Sequence, residues 1–323
     1  MIDPRNPAGT ASGERPGAKE LARNHLYDLL GDLPHESHKP TAQLLRTEVR
    51  TGYTLEHLSL ALNGIEEVPA LFVKPHRDLA GPGGKYPAVL YFHSHGGHYD
   101  LGKRELIDGV GYVSNPPYAE VFASLGIAAL CIDQWGFGQR HRETESALFK
   151  RFLWEGRVLF GMMMYDNLRA LEYLCLREDA RPDRIGTLGM SMGSTHAFWT
   201  AAFDERVSLC VDLCCLTDYQ SLIAAGNIDR HGLYYYVPGL LKYFSTASIN
   251  SLIAPRRHLG VAGTEDALTP AAGLDIIDAE LRSVYAAEGA PANWTLARFP
   301  CGHQEIAPMR ALIVDELRDW VAG

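Results

Sequence analysis

Several things this chain lacks narrow its possibilities before any motif is read. Its 323 residues carry 30 Lys+Arg against 39 Asp+Glu, a formal net charge of −9, with no basic stripe and no aromatic-basic interleaving. A phosphate backbone would meet no attractive field, which excludes nucleic acid as the expected partner. The longest apolar runs, such as 125–132, fall far short of the ~20 residues that a membrane span needs. The six cysteines (Cys131, Cys175, Cys210, Cys214, Cys215 and Cys301) form no CxxC and no regular spacing. They read as reduced core residues of a cytoplasmic protein rather than a disulfide frame. Residues 1–17 are rich in Pro, Gly and small polar residues and have no apolar core of a signal peptide, so they are expected to be a disordered tail. There is no internal repeat.

What the chain does have is apolar residues at 46% and charged residues at 21%, the composition of a globular protein with a sizeable core. Residues 19–46 read as helical, with Leu21, Leu26, Leu29 and Leu30 on one face, so residues 18–50 are expected to be an N-terminal helical extension. Residues 53–62 and 70–73 read as an antiparallel strand pair. Short, near-continuous apolar runs then follow at 88–92, 128–132, 185–188, 209–213 and 259–262, separated by helical patterns at 118–125, 158–176 and 194–203. Runs of that kind suit strands buried on both faces, and their alternation with helices predicts an α/β fold. The expected architecture is a mostly parallel central sheet with helices on both faces, and a last helix over 308–321. One segment interrupts the rhythm. Residues 216–250 carry Tyr219, Tyr234, Tyr235, Tyr236, Tyr243 and Phe244, and a 35-residue excursion is too long for a simple connection. We expect it to be an inserted cap over a site, with Tyr234, Tyr235 and Tyr236 in the substrate pocket.

The strongest chemical signal is Gly189-Met190-Ser191-Met192-Gly193, directly after one strand candidate and before a helix. This is the G-x-S-x-G nucleophile elbow in its strand–turn–helix setting. A sharp turn lifts the serine hydroxyl above the sheet, and side chains at 189 and 193 would collide with neighbouring backbone. A serine hydroxyl needs a base, and the base needs an orienting acid. In α/β-hydrolases the chain order is Ser, acid, His. His303 lies in Phe299-Pro300-Cys301-Gly302-His303, after a strand candidate and before the last helix. Asp266 lies in Gly263-Thr264-Glu265-Asp266, at the end of another, and is preferred to Glu265 because adjacent side chains in a turn cannot both face one imidazole. The oxyanion donors are expected to be the amide of Met192 and that of His95, with Gly96 the neighbouring choice, in the loop Phe92-His93-Ser94-His95-Gly96-Gly97-His98. Asp133 reads as a turn-stabilising residue. His196, His231 and His258 read as structural or surface residues.

These residues resemble α/β-hydrolases of the dienelactone hydrolase and acetyl-xylan-esterase-like groups. The resemblance runs over residues 50–323, through His93 to His98 with Leu101-Gly102-Lys103, Asp133-Gln134-Trp135-Gly136-Phe137-Gly138, the elbow, and Ala254-Pro255-Arg256 ahead of Asp266. It implies a serine carboxylesterase with a small-molecule ester substrate and no cofactor or metal. Trp135 stands where many relatives carry Arg, and Trp135 and Phe137 are expected to line the pocket. Three other readings were weighed. A serine peptidase or amidase uses the same triad. A metal-dependent hydrolase could use His93, His95 and His98, but position 97 is Gly and Asp100 falls too late for that pattern. A non-catalytic binding module would be favoured by a missing triad member, and none is missing. The sequence leaves a homo-oligomer open.

Overall fold

In the computed structural model, which describes residues 17–35 and 37–323, nine strands form a single sheet among the described residues. The N-terminal part comprises α1 (Ala18–Asp28), β1 (Thr41–Arg50), β2 (Tyr53–Ala61) and β3 (Glu67–Pro75). Then come β4 (Tyr86–Phe92), α2 (Glu105–Asp108), α3 (Tyr118–Ser124), β5 (Ala128–Ile132), α4 (Glu145–Trp154) and α5 (Leu159–Leu176). The remainder is β6 (Ala180–Met190), α6 (Met192–Phe203), β7 (Val207–Leu213), α7 (Tyr219–Ala224), α8 (Thr246–Ser251), β8 (Arg257–Gly263), α9 (Ala271–Ala287), β9 (Trp294–Phe299) and α10 (Ala307–Ala322).

Sheet order is β1-β2-β3-β5-β4-β6-β7-β8-β9. The first four strands pair antiparallel and the rest parallel. Strands β4 and β5 bury every side chain, because helices cover both faces of the parallel part. One core lies under α5, α6 and α9, with Phe160, Met163, Trp199 and Tyr285 among its members. The other lies under α3 and α10, around Tyr118, Phe122, Ile313 and Trp320. No helix among the described residues is long and apolar enough to cross a membrane.

Two expectations change. The N-terminal helix ends at Asp28, and residues 41–50 are the edge strand β1, not helix. Every β1 side chain is exposed or half-buried, so no periodicity of burial marks it in the sequence. The tail expected over 1–17 lies outside the described residues except for Gly17. Residues 216–250 do form an insertion between β7 and β8, but it is not a separate layer. Tyr234, Tyr235, Val237, Leu240 and Phe244 are buried in the core beneath α5 and α6.

Candidate active site

The turn between β6 and α6 is built by exclusion. A Cβ on Gly189 would lie 2.4 Å from the Gly193 backbone, and one on Gly193 would lie 2.1 Å from the Phe92 carbonyl oxygen. With side chains excluded there, the chain reverses at Ser191, which takes φ 58° and ψ −119°. That conformation disfavours any residue with a Cβ and marks stored strain. The Ser191 amide donates to Leu213 O at 2.9 Å, tying the turn to β7. Met192 opens α6, so its amide has no partner within the helix.

The next two strands deliver the partners of Ser191. A Cβ on Gly263 would meet Cys301 O at 2.3 Å, so only glycine lets the ends of β8 and β9 close together. Thr264 N and Glu265 N donate to Phe299 O and Cys301 O at 2.8 and 3.0 Å, joining the two following loops. The result is a continuous chain of hydrogen bonds. Asp266 Oδ2 lies 2.7 Å from His303 Nδ1, and His303 Nε2 lies 2.8 Å from Ser191 Oγ. Asp266 is buried and further held by Leu268 N (2.9 Å) and Thr269 Oγ1 (3.3 Å), while Glu265 is exposed. His303 keeps a quarter of its side chain open to solvent, which leaves room for a substrate.

The loop after β4 emerges beside the elbow because Phe92 pairs with Gly189. Buried Glu105 fixes it, accepting from Ser94 N (3.0 Å), from the Ser94 hydroxyl and from Tyr91 OH (2.7 Å). Burial pushes the Glu105 carboxyl above its ordinary pKa. Gly96 takes φ +47° against the Tyr112 ring, where a Cβ would sit 2.3 Å from the ring edge. His95 and Gly96 thus sit on a braced turn at the end of the strand that pairs with β6. The His95 ring accepts from Gly97 N at 3.1 Å through Nδ1. Burial, then the neighbouring His93, His303, His231 and His98, press its pKa down to about 4. Phe137 packs against His95 with centroids 5.5 Å apart, and Tyr234 closes on the same ring at 5.7 Å.

Other expected residues fall elsewhere. Trp135 turns away from His95, packs on Phe152 at 5.4 Å under the Arg140 guanidinium, and lines a separate cavity of 280 Å³ with Ile65 and Arg157. Gly136, at φ +81°, turns the chain between Trp135 and Phe137. Tyr235 stacks on His231 and packs edge-on against Tyr219, and the Tyr236 hydroxyl donates to Ile228 O at 2.6 Å; both serve the insertion itself. Asp133 does brace turns. It accepts from Lys103 N, Lys103 Nζ and Gln139 N, and Cβ atoms on Gly102 or Gly138 would collide with it.

His93, His95 and His98 do not present three free ligands. His93 Nδ1 donates to Ser94 O, its Nε2 accepts from Gln134 N, and His98 and Asp100 are exposed. Among the described residues, ligand atoms of Cys210, Asp212 and His258 lie within 4.8 Å of one another. There, however, His258 and Asp212 are bonded to each other at 2.7 Å inside the core beside Trp294. His196 is a core residue, accepting from Asn167 at 2.7 Å. His231 is the residue that sequence reasoning missed. It comes from the insertion yet sits within electrostatic reach of His303 and Asp266, and burial lowers its pKa to about 4. A lone His in an aromatic segment carries no signal that could have placed it there.

No family model matches the chain. Over 299 residues it is 50% identical to the Bacillus subtilis protein named "Putative hydrolase YtaP", covering 93% of this chain and 98% of that one. The chain belongs to the YtaP family. Solved structures place the family in a fold. A glucuronoyl esterase from Solibacter usitatus superposes with a TM-score of 0.66 at 14% identity, covering 98% of this chain and 96% of its own. An acetyl xylan esterase from Paenibacillus sp. R4 gives 0.59 at 16% identity, covering 93% and 92%. At such identities the likeness shows the α/β-hydrolase fold, and this member of the YtaP family has that fold.

Proposed function

We propose that the chain is a serine carboxylesterase that hydrolyses compact small-molecule esters through an acyl-enzyme. The observation that carries this reading is the unbroken Asp266–His303–Ser191 hydrogen-bond chain at a strained elbow. Ser191 Oγ attacks the ester carbonyl while His303 Nε2 takes its proton. The amides of Met192 and of His95, with Gly96 adjacent, donate to the developing oxyanion. His303 then returns the proton to the departing alkoxide, and the acyl group stays on Ser191. Water gives a proton to His303 as its oxygen attacks the acyl carbonyl, and His303 passes that proton to Ser191 Oγ as the Ser191–acyl bond breaks and the acid leaves. Asp266 keeps Nδ1 protonated and steadies the imidazolium that forms. No cofactor enters this scheme. The names of the relatives, a hydrolase and esterases, support ester chemistry over peptide cleavage. The rings of His95, Phe137 and Tyr234, packed together on the loop after β4, support a compact substrate. The six unpaired cysteines support a reducing, cytoplasmic setting.

The test combines a fluorophosphonate label with a series of p-nitrophenyl esters of rising acyl length and a matching anilide. Ser191 is expected to carry the label, and Ser191→Ala to lose at least about 10⁴-fold in ester turnover. Faster anilide than ester hydrolysis would move the enzyme to the amidases. Unchanged ester turnover in folded Ser191→Ala would overturn the mechanism.

A further inference from the structure

Strand β1 is out of keeping with the rest of the sheet. It is ten residues long, lies at the open edge, and buries no side chain on either face. Leu44, Leu45 and Val49 are 55%, 59% and 83% exposed. A long edge strand with unpaired backbone groups and apolar side chains is a template for another strand, and proteins normally protect such edges. Here the adjoining surface is concave. One groove beside it, of 790 Å³, is lined by Val49, Arg50, Leu79 and Glu120, and another, of 590 Å³, by Arg46, His57, Leu101 and Arg104.

The charge order along β1 says what fits. Cross-strand pairing with β2 puts Arg46, Glu48 and Arg50 on one face and Thr47 and Val49 on the other, after a register shift at Leu45. A two-fold axis perpendicular to the sheet keeps each residue on its own face. Antiparallel self-pairing must therefore be centred on a residue. Centring on Arg46 sets it against itself, and centring on Glu48 sets Glu48 against itself and Arg46 against Arg50. Like charges directly opposite are destabilising. Centring on Thr47 instead places Arg46 opposite Glu48 twice and Leu45 opposite Val49 twice. Centring on Val49 also opposes Glu48 and Arg50, but the Thr47 register adds the exposed apolar Leu45–Val49 pairs to its opposite charges.

We infer that β1 is a homodimer interface, pairing antiparallel with β1 of a second copy about Thr47 to make one continuous sheet. The strands alone contribute only part of the ~1,200–2,000 Å² of a stable interface, and the two grooves take the partner's adjoining loops. This inference is independent of the proposed chemistry.

Light scattering of the full chain across micromolar concentrations tests it, with ester turnover as a separate readout. The wild type is expected to have a dimer mass, and Glu48→Arg, which opposes two arginine pairs, to shift to monomer with unchanged turnover per chain. The charge-swapped Arg46→Glu/Glu48→Arg chain should recover the dimer, and Thr47→Cys should cross-link to itself under mild oxidation while Thr41→Cys does not. A monomeric wild type, including one whose residues 1–16 cover the edge, would overturn the proposal. So would a dimer indifferent to Glu48→Arg or a swap that restores nothing.

Discussion

Two parts of the molecule pack around the His95 ring, and different forces hold them. The floor consists of the elbow, the loop after β4 and the His303 loop. Glycine sterics and buried carboxylates fasten it: Glu105 under Ser94, Asp133 under Lys103 and Gln139, and Glu305 under Ser114 and Tyr118. The roof is the insertion between β7 and β8. Ring contacts such as His231–Tyr235 dominate there, with bonds to backbone carbonyls, among them Asn227 Nδ2 to Ala267 O at 3.0 Å, and carboxylate contacts with fewer donors, such as Tyr234 N to Glu145 at 2.9 Å. A charged acceptor buried with several donors has one low-energy arrangement, whereas stacked rings can slide at little cost. On the proposed reaction, this division gives the reacting atoms to the floor and the choice of substrate to the roof.

The sharpest challenge to that division is at the floor's acid. Asp266→Asn, which favours the wrong tautomer of His303, should lower kcat by about 10⁴-fold. Glu265→Gln, on an exposed neighbour, should leave it within about twofold. Steady-state kinetics that reversed this ranking would pass the role to Glu265.

Next comes stability. Glu105→Leu strips Ser94 and Tyr91 of their buried acceptor and should destabilise the fold by about 3–5 kcal/mol in chemical denaturation. Tyr236→Phe removes one roof hydrogen bond and should lose about 1 kcal/mol. Equal losses would erase the distinction between the surfaces.

Selectivity should respond the other way. Tyr234→Ala opens the space beside His95 and should raise kcat/KM for octanoyl over acetyl p-nitrophenyl esters by about tenfold, worth about 1.4 kcal/mol. An unchanged acyl profile would show that Tyr234 only packs the core.

The last effect concerns pH. His231 has a folded pKa near 4 against an ordinary 6.5, because burial opposes its charge. Below pH 6.5 the unfolded chain takes up this proton and the folded chain does not, so the contribution of His231 to stability is lost as pH falls toward 4. His231→Gln lacks that linkage. Its stability relative to wild type should improve by about 1.4 kcal/mol per pH unit below 6.5, read from paired denaturation curves at pH 7 and 5. A constant difference would place His231 in solvent.

Much of the floor was legible because local rules specify it. A glycine pair around Ser191 is a steric demand of the turn, and the strands that carry Ser191 and Asp266 are apolar runs that sheet burial makes conspicuous. Strand β1 was misread as helix for the opposite reason. Thr41–Arg50 buries nothing, and its Leu, Arg and Glu are good helix formers, so neither burial nor propensity pointed to a strand. Its state comes from pairing with β2, a partner that the local pattern does not reveal. Trp135 reads as a pocket residue by nearness to Phe137 in the chain, yet Phe152 on α4 and the Arg140 guanidinium draw it elsewhere.

By itself the sequence determined the class of fold, the elbow and the order of Ser191, Asp266 and His303, because period, glycine placement and chain order act over a few residues or one strand. Only the tertiary structure decided that Asp266 is buried against His303 while Glu265 faces water. It alone brought Tyr234 against the His95 ring and His231 within electrostatic reach of His303, and set β1 at the edge of the sheet. Those outcomes depend on which distant surfaces meet, and no local pattern encodes the meeting.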